Sequence, residues 1–387
     1  MVYATRLPDC LVFVATFEVI PPGVYPAYDG WMETKSSLQL VDTLRRVAPG
    51  TGLREGLDRI LQARMGALLV IGDGPDVLSI CSGGFLIDSE FSPQRLFELA
   101  KMDGAIILSG DRMRIARANV HLVPDSSIST SETGTRHRSA ERVAKSVPVT
   151  VVAVSEELSV ITVYRDNFKH QLKPTHTIFN RANQALATLE RYKERLDGVL
   201  ANLDNLEVAK SAKFKDVVTV LQRGELVRRI SEEIAWYLLE LGSDGRLLAL
   251  QLDEVYLGFE TNYLSVIQDF LEITTRDEAA ELVSFLAEVP MAELLDLDRL
   301  AEGVKKHSCC PWVTQLDSPS YLEATMESRG TRQVNSTPQV PQYVKDALKE
   351  TFGGLRPILE PPGDEPEESD PLDARWTRAV KDGIYRS

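Results

Sequence analysis

ALLVIGDG, Ala67 to Gly74, is a short unbroken apolar run closed by a glycine turn, the signature of a strand buried on both faces. Runs of the same character follow at Gly84 to Ile87, Ala105 to Leu108, Val149 to Val154 and Val160 to Tyr164, with Gly110-Asp111 as another turn. Upstream the period changes. Leu38, Leu40, Val41 and Leu44 fit one helix face, and Leu53, Leu57, Ile60 and Leu61 fit another. A further helix suits Ala140 to Lys145. Helices and strands interleaved in this way predict an α/β domain with a mixed sheet over residues 33–180.

Beyond it the pattern becomes all-helical. Leu186, Leu189, Tyr192, Leu196, Val199, Leu203 and Leu206 recur at spacings of three and four. A second helix runs from Val217 through Leu226 and Ile230 to Leu239, with Gly242 as its stop. A third is expected from about Gly245 to Gly258, and a fourth from Leu264 to about Glu272. No proline interrupts residues 175–289, so residues 181–315 read as a helical linker or bundle. Residues 316–387 are looser, with a short helix from Tyr343 to Phe352 and another from Ala374 to Ile384. Between them lies EPPGDEPEESDPLD, Glu360 to Asp373, which carries seven acids and no base. Residues 1–32 read as an N-terminal extension unlike anything that follows. Met32 is the suspected true start, with a genuine N-terminal arm as the other reading.

Of 387 residues, 43% are hydrophobic and 26% charged, which excludes wholesale disorder and a polytopic membrane protein. The net charge of −14 argues against binding nucleic acid by bulk attraction. The four cysteines, Cys10, Cys81, Cys309 and Cys310, make neither a disulfide framework nor a CxxC zinc pair. Cys309-Cys310 read as ordinary thiols. The apolar run Cys10 to Phe17 is too short to span a membrane and lacks the basic flank of a signal peptide. The expectation is a cytoplasmic protein with no membrane partner.

Two segments concentrate polar chemistry. Asp103-Gly104-Ala105 opens a strand, and SETGTRHRS, Ser131 to Ser139, is a loop running into the helix expected near Ala140. Hydroxyls, guanidinium groups and backbone N–H groups at a helix start are the donors a phosphate needs. An acid at a strand start suits a metal ion or a ribose hydroxyl. The plainer alternatives are an Asp-Gly turn, a solvated basic loop at Arg136, His137 and Arg138, and a strand-ending hydroxyl at Ser155.

These segments carry a resemblance. KMDGAI (Lys101 to Ile106), ANVHLVPD (Ala118 to Asp125), SETGTRHRSAERVAK (Ser131 to Lys145) and the strand ending at Ser155 closely resemble the catalytic domain of DisA-type diadenylate cyclases. RANQALATLERYKERLD (Arg181 to Asp197) and DVVTVLQRGELVRRISEEI (Asp216 to Ile234) are similar to that family's helical linker. The resemblance implies condensation of two ATP molecules into cyclic di-AMP, with the site formed between facing protomers of a homo-octamer. It implies that Asp103 holds Mg2+ or Mn2+ and orients a ribose 3'-hydroxyl, that Gly104 lies against the nucleotide, and that Leu122 presents its backbone to adenine. Thr135, Arg136 and His137 would grip phosphates, and Ser155 would add a hydroxyl. Arg138 would serve the ligand or the assembly, and Ser139 stands where the family usually has Thr.

The family usually ends in a tandem helix-hairpin-helix module that binds branched DNA and couples the enzyme to DNA damage. Thr337 to Pro341 followed by VKDALKETFGGL fits the first hairpin. At the second, Pro371-Leu372-Asp373 replaces the expected Gly-x-Gly, removing a donor and adding a negative charge. Residues 316–387 therefore read as a small, degenerate helix-hairpin-helix domain, either a scaffold remnant or a weakened DNA sensor. The competing reading of the whole chain is a branched-DNA-sensing protein in which nucleotide turnover is secondary.

Overall fold

In the computed structural model, residues 35–271, 273, 276–306, 320–330, 332 and 333 are described, and the chain divides into two units, Met1–Pro174 and Thr175–Ser387. The N-terminal extension, Cys309-Cys310 and both expected hairpins lie outside the described residues.

The first unit contains α1 (Lys35–Val47), α2 (Gly52–Gln62), β1 (Ala67–Ile71), α3 (Pro75–Ser79), β2 (Cys81–Ser82), β3 (Phe85–Glu90) and α4 (Pro93–Leu99). They are followed by β4 (Ala105–Leu108), β5 (Arg114–Leu122), α5 (Thr135–Ser146), β6 (Thr150–Ser155), β7 (Val160–Arg165) and β8 (Phe168–Leu172). The strands form one mixed sheet in the order β2-β5-β4-β1-β6-β7-β8, with β3 also paired to β5. Only β1 and β4 run parallel, with Leu68 beside Ala105 and Ile71 beside Leu108. The other pairings are antiparallel.

All five residues of β1 are buried because both faces of the sheet are covered. Leu68 and Val70 join Ile107, Val151 and Ala153 against Val143, Ala144 and Val147 of α5 and its C-terminal end. The opposite face takes Leu44 and Val47 of α1 and Leu53, Leu57 and Ile60 of α2, which pack on β6 and β7. Caps set the helix starts. Thr51 Oγ1 accepts from Arg54 N at 3.2 Å for α2, and Ser92 Oγ accepts from Arg95 N at 3.2 Å for α4, ahead of Pro93.

Three strands, the two-residue β2 and the longer β5 and β8, were not legible as apolar runs. β5, RIARANVHL, alternates buried and exposed positions so that its polar residues fall on the outer side, and β8, FKHQL, is a mostly polar edge strand. The helix expected near Ala140 begins earlier, at Thr135, because Gly134 is extended and its carbonyl accepts from Arg138 N at 2.9 Å. Thr135, Arg136, His137 and Arg138 are thus the first helical turn rather than loop.

The second unit is all-helical: α6 (Thr175–Val208), α7 (Phe214–Leu241), a 3-10 turn (Gly242–Gly245), α8 (Arg246–Tyr256), α9 (Phe259–Phe270), α10 (Arg276–Glu288), α11 (Met291–Leu294) and α12 (Leu297–Lys306). α6 buries one stripe, Leu186, Leu189, Leu196 and Leu203, against α7. α7 is the central helix, buried nearly all round between Val217 and Val227, and it stops at Gly242, whose φ is +53°.

Burial all round forces α7 to satisfy its own charges. Glu225 has no exposed side chain. It accepts from Arg228 Nε at 2.7 Å and from Arg229 Nε at 2.6 Å. Arg228 also pairs with Glu232. Arg229 goes on to donate to the carbonyls of Leu286 and Val289 at 2.8 and 2.6 Å, closing the C-terminal end of α10. Glu225→Ala would leave two desolvated guanidinium groups without their shared carboxylate. We expect a loss of about 3 kcal/mol in the stability of the helical unit, measured by hydrogen exchange along α7, with the first unit unaffected.

Candidate nucleotide-binding site

The strand register builds one edge of the sheet. With Leu68 beside Ala105, β1 and β4 begin at the same edge of the sheet, where Gly66 and Asp103 immediately precede them. Ala67 faces Val154, so the next antiparallel position brings Ser155 to the other side of Gly66. Ala105 faces Val120, which carries Leu122 to the outer flank of Asp103. Leu122, Asp103, Gly66 and Ser155, from four segments of the chain, therefore gather in a row of strand ends along one edge of the sheet. Gly104 turns the chain into β4 with φ +93°, and a β-carbon there would sit 2.9 Å from the Asn119 carbonyl carbon and the Val120 oxygen. The glycine is thus required by the close approach of β5, while its other side is exposed. The side chain of Leu122 is buried in the core.

The first turn of α5 meets this row. Helix geometry leaves the leading N–H groups without intrahelical partners, and Gly134 supplies no side-chain cap. Arg136 Nη2 lies 4.0 Å from Asp103 Oδ1, and the Asp103 side chain is fully exposed. Solvent screens such a pair, so it marks a location rather than a stabilising contact. His137 is half-buried with its ring edge-on to Tyr164, centroids 6.3 Å apart at 74°. Burial lowers the His137 imidazole below its usual range. Glu132 acts to raise it, and Lys169 and Arg136 add to the lowering. Thr135 is exposed, and Ser139 lies one turn further along. Arg138 is exposed and forms no ion pair among the described residues. Ser155 Oγ accepts from Leu158 N at 3.2 Å, so this hydroxyl also shapes the turn after β6.

Gly66, Glu132 and Tyr164 are residues of this edge that the sequence taken alone does not single out. Gly66 is buried beneath the Arg136 guanidinium. Glu132, an acid inside a basic loop, accepts from the Tyr164 hydroxyl at 3.0 Å and pairs with Lys169. Burial works against its charge, but the hydrogen bonds from Lys169 and Tyr164 prevail and hold its carboxyl below the usual range. Glu132 is therefore turned into the protein and neutralised, leaving the positive groups to define the edge. The preceding residues are pinned to α5: Glu141 Oε2 accepts from Ser131 N at 3.2 Å, Arg142 Nε donates to Ile128 O at 3.0 Å, and Lys145 Nζ donates to Ser129 O at 3.2 Å.

A helix N-terminus, a guanidinium and an imidazole opposite an exposed carboxylate offer the kind of donors that a phosphorylated ligand needs. The comparisons with known proteins give the class. Residues 54–168 match the family model described as DisA bacterial checkpoint controller nucleotide-binding, and residues 172–306 match that of the DisA bacterial checkpoint controller linker region. The first unit is thus a nucleotide-binding domain of the diadenylate cyclase type, followed by its helical linker.

Similarity to curated relatives spans nearly the whole chain. It is 43% identical to the DNA integrity scanning protein DisA of Streptomyces coelicolor over 89% of this chain and 90% of that one. For the proteins of the same name from Frankia alni and Carboxydothermus hydrogenoformans, identity is 44% and 41%, covering 94% and 96% of those chains. The chain belongs to the DisA family, as its motifs lead one to expect. No helix among the described residues is long and apolar enough to cross a membrane.

Glu132→Gln removes the one carboxylate raising His137 and leaves Lys169 and Arg136 unopposed. The His137 titration should move to lower pH, followed by NMR of its ring protons. A move to higher pH would contradict this arrangement.

Proposed function

We propose that the protein is a diadenylate cyclase that condenses two ATP molecules into cyclic di-AMP and two diphosphates, with each active site completed by a facing protomer. The observation that carries this reading is the meeting of Asp103 and Arg136, 33 positions apart in sequence, at 4.0 Å on one sheet edge beside a helix N-terminus. In each half of the reaction a 3'-hydroxyl oxygen bonds to the α-phosphorus of the other ATP. The bond from that phosphorus to the bridging oxygen breaks, diphosphate leaves, and the hydroxyl proton passes to solvent. Two such steps close the ring. Transfer of this kind depends on positioning and charge neutralisation rather than on a protein nucleophile.

The residues divide that work. Asp103 orients the ribose 3'-hydroxyl, Gly104 offers its exposed backbone to the nucleotide, and Leu122 offers its backbone to adenine. Arg136, His137 and the hydroxyls of Thr135 and Ser139 hold the phosphates at the start of α5, with Ser155 across the row. Arg138, exposed and without an ion pair among the described residues, is available to a second protomer or to the ligand.

No group of three His, Cys, Asp or Glu side chains able to hold a metal occurs among the described residues. A single exposed carboxylate fits a cation shared with substrate phosphates, the usual situation for Mg2+, and Mn2+ has the same preference for oxygen. Asp103 would hold it. The bound cation would neutralise charge on the reacting phosphates.

A homo-octamer is the proposed assembly. The relatives are named for DNA integrity scanning. For this chain we place any branched-DNA role second, because Asp373 and the surrounding acids oppose phosphate at the second hairpin position.

Asp103→Ala should abolish cyclic di-AMP formation from ATP with Mg2+ or Mn2+ and leave the thermal midpoint unchanged, since the side chain is fully exposed. Product chromatography reads the outcome. Undiminished product would overturn the assignment.

A further inference from the structure

Position 66 is glycine for a reason that the backbone does not supply. It is not among the residues with positive φ, and it immediately precedes β1, so a left-handed backbone is not what calls for glycine there. What excludes a side chain is Arg136. A β-carbon at Gly66 would lie 2.1 Å from Nη1, 2.6 Å from Cζ and 3.2 Å from Nε of that one guanidinium. Gly66 is itself buried, while the Arg136 side chain above it remains 40% exposed. The guanidinium lies on the bare α-carbon, with Nη1 over the strand and Nη2 directed to Asp103.

We propose that Gly66 is a positioning residue of the nucleotide site. Its missing side chain is the seat that fixes where the Arg136 guanidinium stands relative to Asp103, and so where a nucleotide phosphate is gripped. This rests on the reading of Arg136 as a phosphate ligand.

The magnitudes separate function from stability. To reach ordinary van der Waals contact at 3.4 Å instead of 2.1 Å, the guanidinium must withdraw by about 1.3 Å. The atoms that give way are the tip of a flexible, partly exposed side chain, so the fold relaxes at little cost. A misplacement of about 1 Å in a catalytic constellation can nonetheless lower the rate by about 100-fold. Gly66→Ala is the smallest substitution that tests the seat, and Asp103 is untouched by it.

The experiment is a double-mutant cycle in the full-length protein: wild type, Gly66→Ala, Arg136→Ala and the double variant. Each is assayed for kcat and KM with ATP and for thermal unfolding. Gly66→Ala should lower kcat/KM by roughly 100-fold with a thermal midpoint within about 5 °C of wild type. Once Arg136 is already Ala, adding Gly66→Ala should cost nothing further, because the only group that the new methyl displaces is gone.

A Gly66→Ala protein within twofold of wild type would overturn the seat. So would an equal further loss in the double variant, or a midpoint lowered by more than about 5 °C, since the fold is held to be indifferent to this change. If Arg136→Ala alone leaves kcat/KM unchanged, the phosphate-ligand reading beneath the proposal is what fails.

Discussion

The parallel pairing of β1 with β4 is the constraint on which the candidate site depends. In an otherwise antiparallel sheet, it is the one ladder that starts both of its strands at the same edge. Had β4 run the other way, Asp103 would stand at the far end of the sheet from Gly66 and Ser155. A parallel neighbour cannot be reached by a tight turn. The chain accordingly spends residues 72–104 on a crossover through α3, β2, β3 and α4 before it enters β4. β6 then returns antiparallel to β1 and ends where β1 begins, so the same edge gains the N-terminus of α5 from the segment just before it.

What could be read in advance follows from how each element satisfies itself. β1 and β4 are buried on both faces, so composition alone marks them, and their bounds coincide with the apolar runs. β5 faces the core on alternate residues only, and β8 lies at an edge, so their sequences look like polar loop. α7 shows a broad apolar pattern because it is central, and Gly242 ends it where the left-handed region requires. Motif residues were legible as chemistry. Gly66 and Tyr164 were not, because their contribution lies in what another segment places against them, 70 residues away for Gly66 and 32 for the Glu132 partner of Tyr164.

The acidic balance of the chain also acquires a location. Residues 181–315 carry −9, whereas residues 33–180 carry +1, so the nucleotide-binding domain presents no general field against a polyanionic ligand. In the helical unit part of the excess is enclosed rather than solvated. Burial raises the Glu207 carboxyl above its usual range, and Arg332 works against that shift. The same guanidinium pairs with Asp204, and Arg332 N donates to Asp269 Oδ2 at 2.9 Å. Arg332 is thereby tied to the ends of α6 and α9, beside the backbone bond from Arg329 N to the Asp269 carbonyl at 3.0 Å.

Asp103 shows why the site residues are better explained by chemistry than by folding. Its side chain is fully exposed and its nearest cation is 4.0 Å away, so it contributes almost nothing to stability. The fold even constrains the backbone beside it, holding Gly104 at φ +93° against β5, a conformation that other residues rarely adopt. Glu132 is the opposite case. It is an acid close to the same edge, but its side chain is 14% exposed and is paired with Lys169 and Tyr164. Two carboxylates lie near one positively charged helix start, and the structure withdraws one while leaving the other free to meet a ligand. That difference leaves one exposed carboxylate among cationic donors at the edge where the proposed nucleotide would lie.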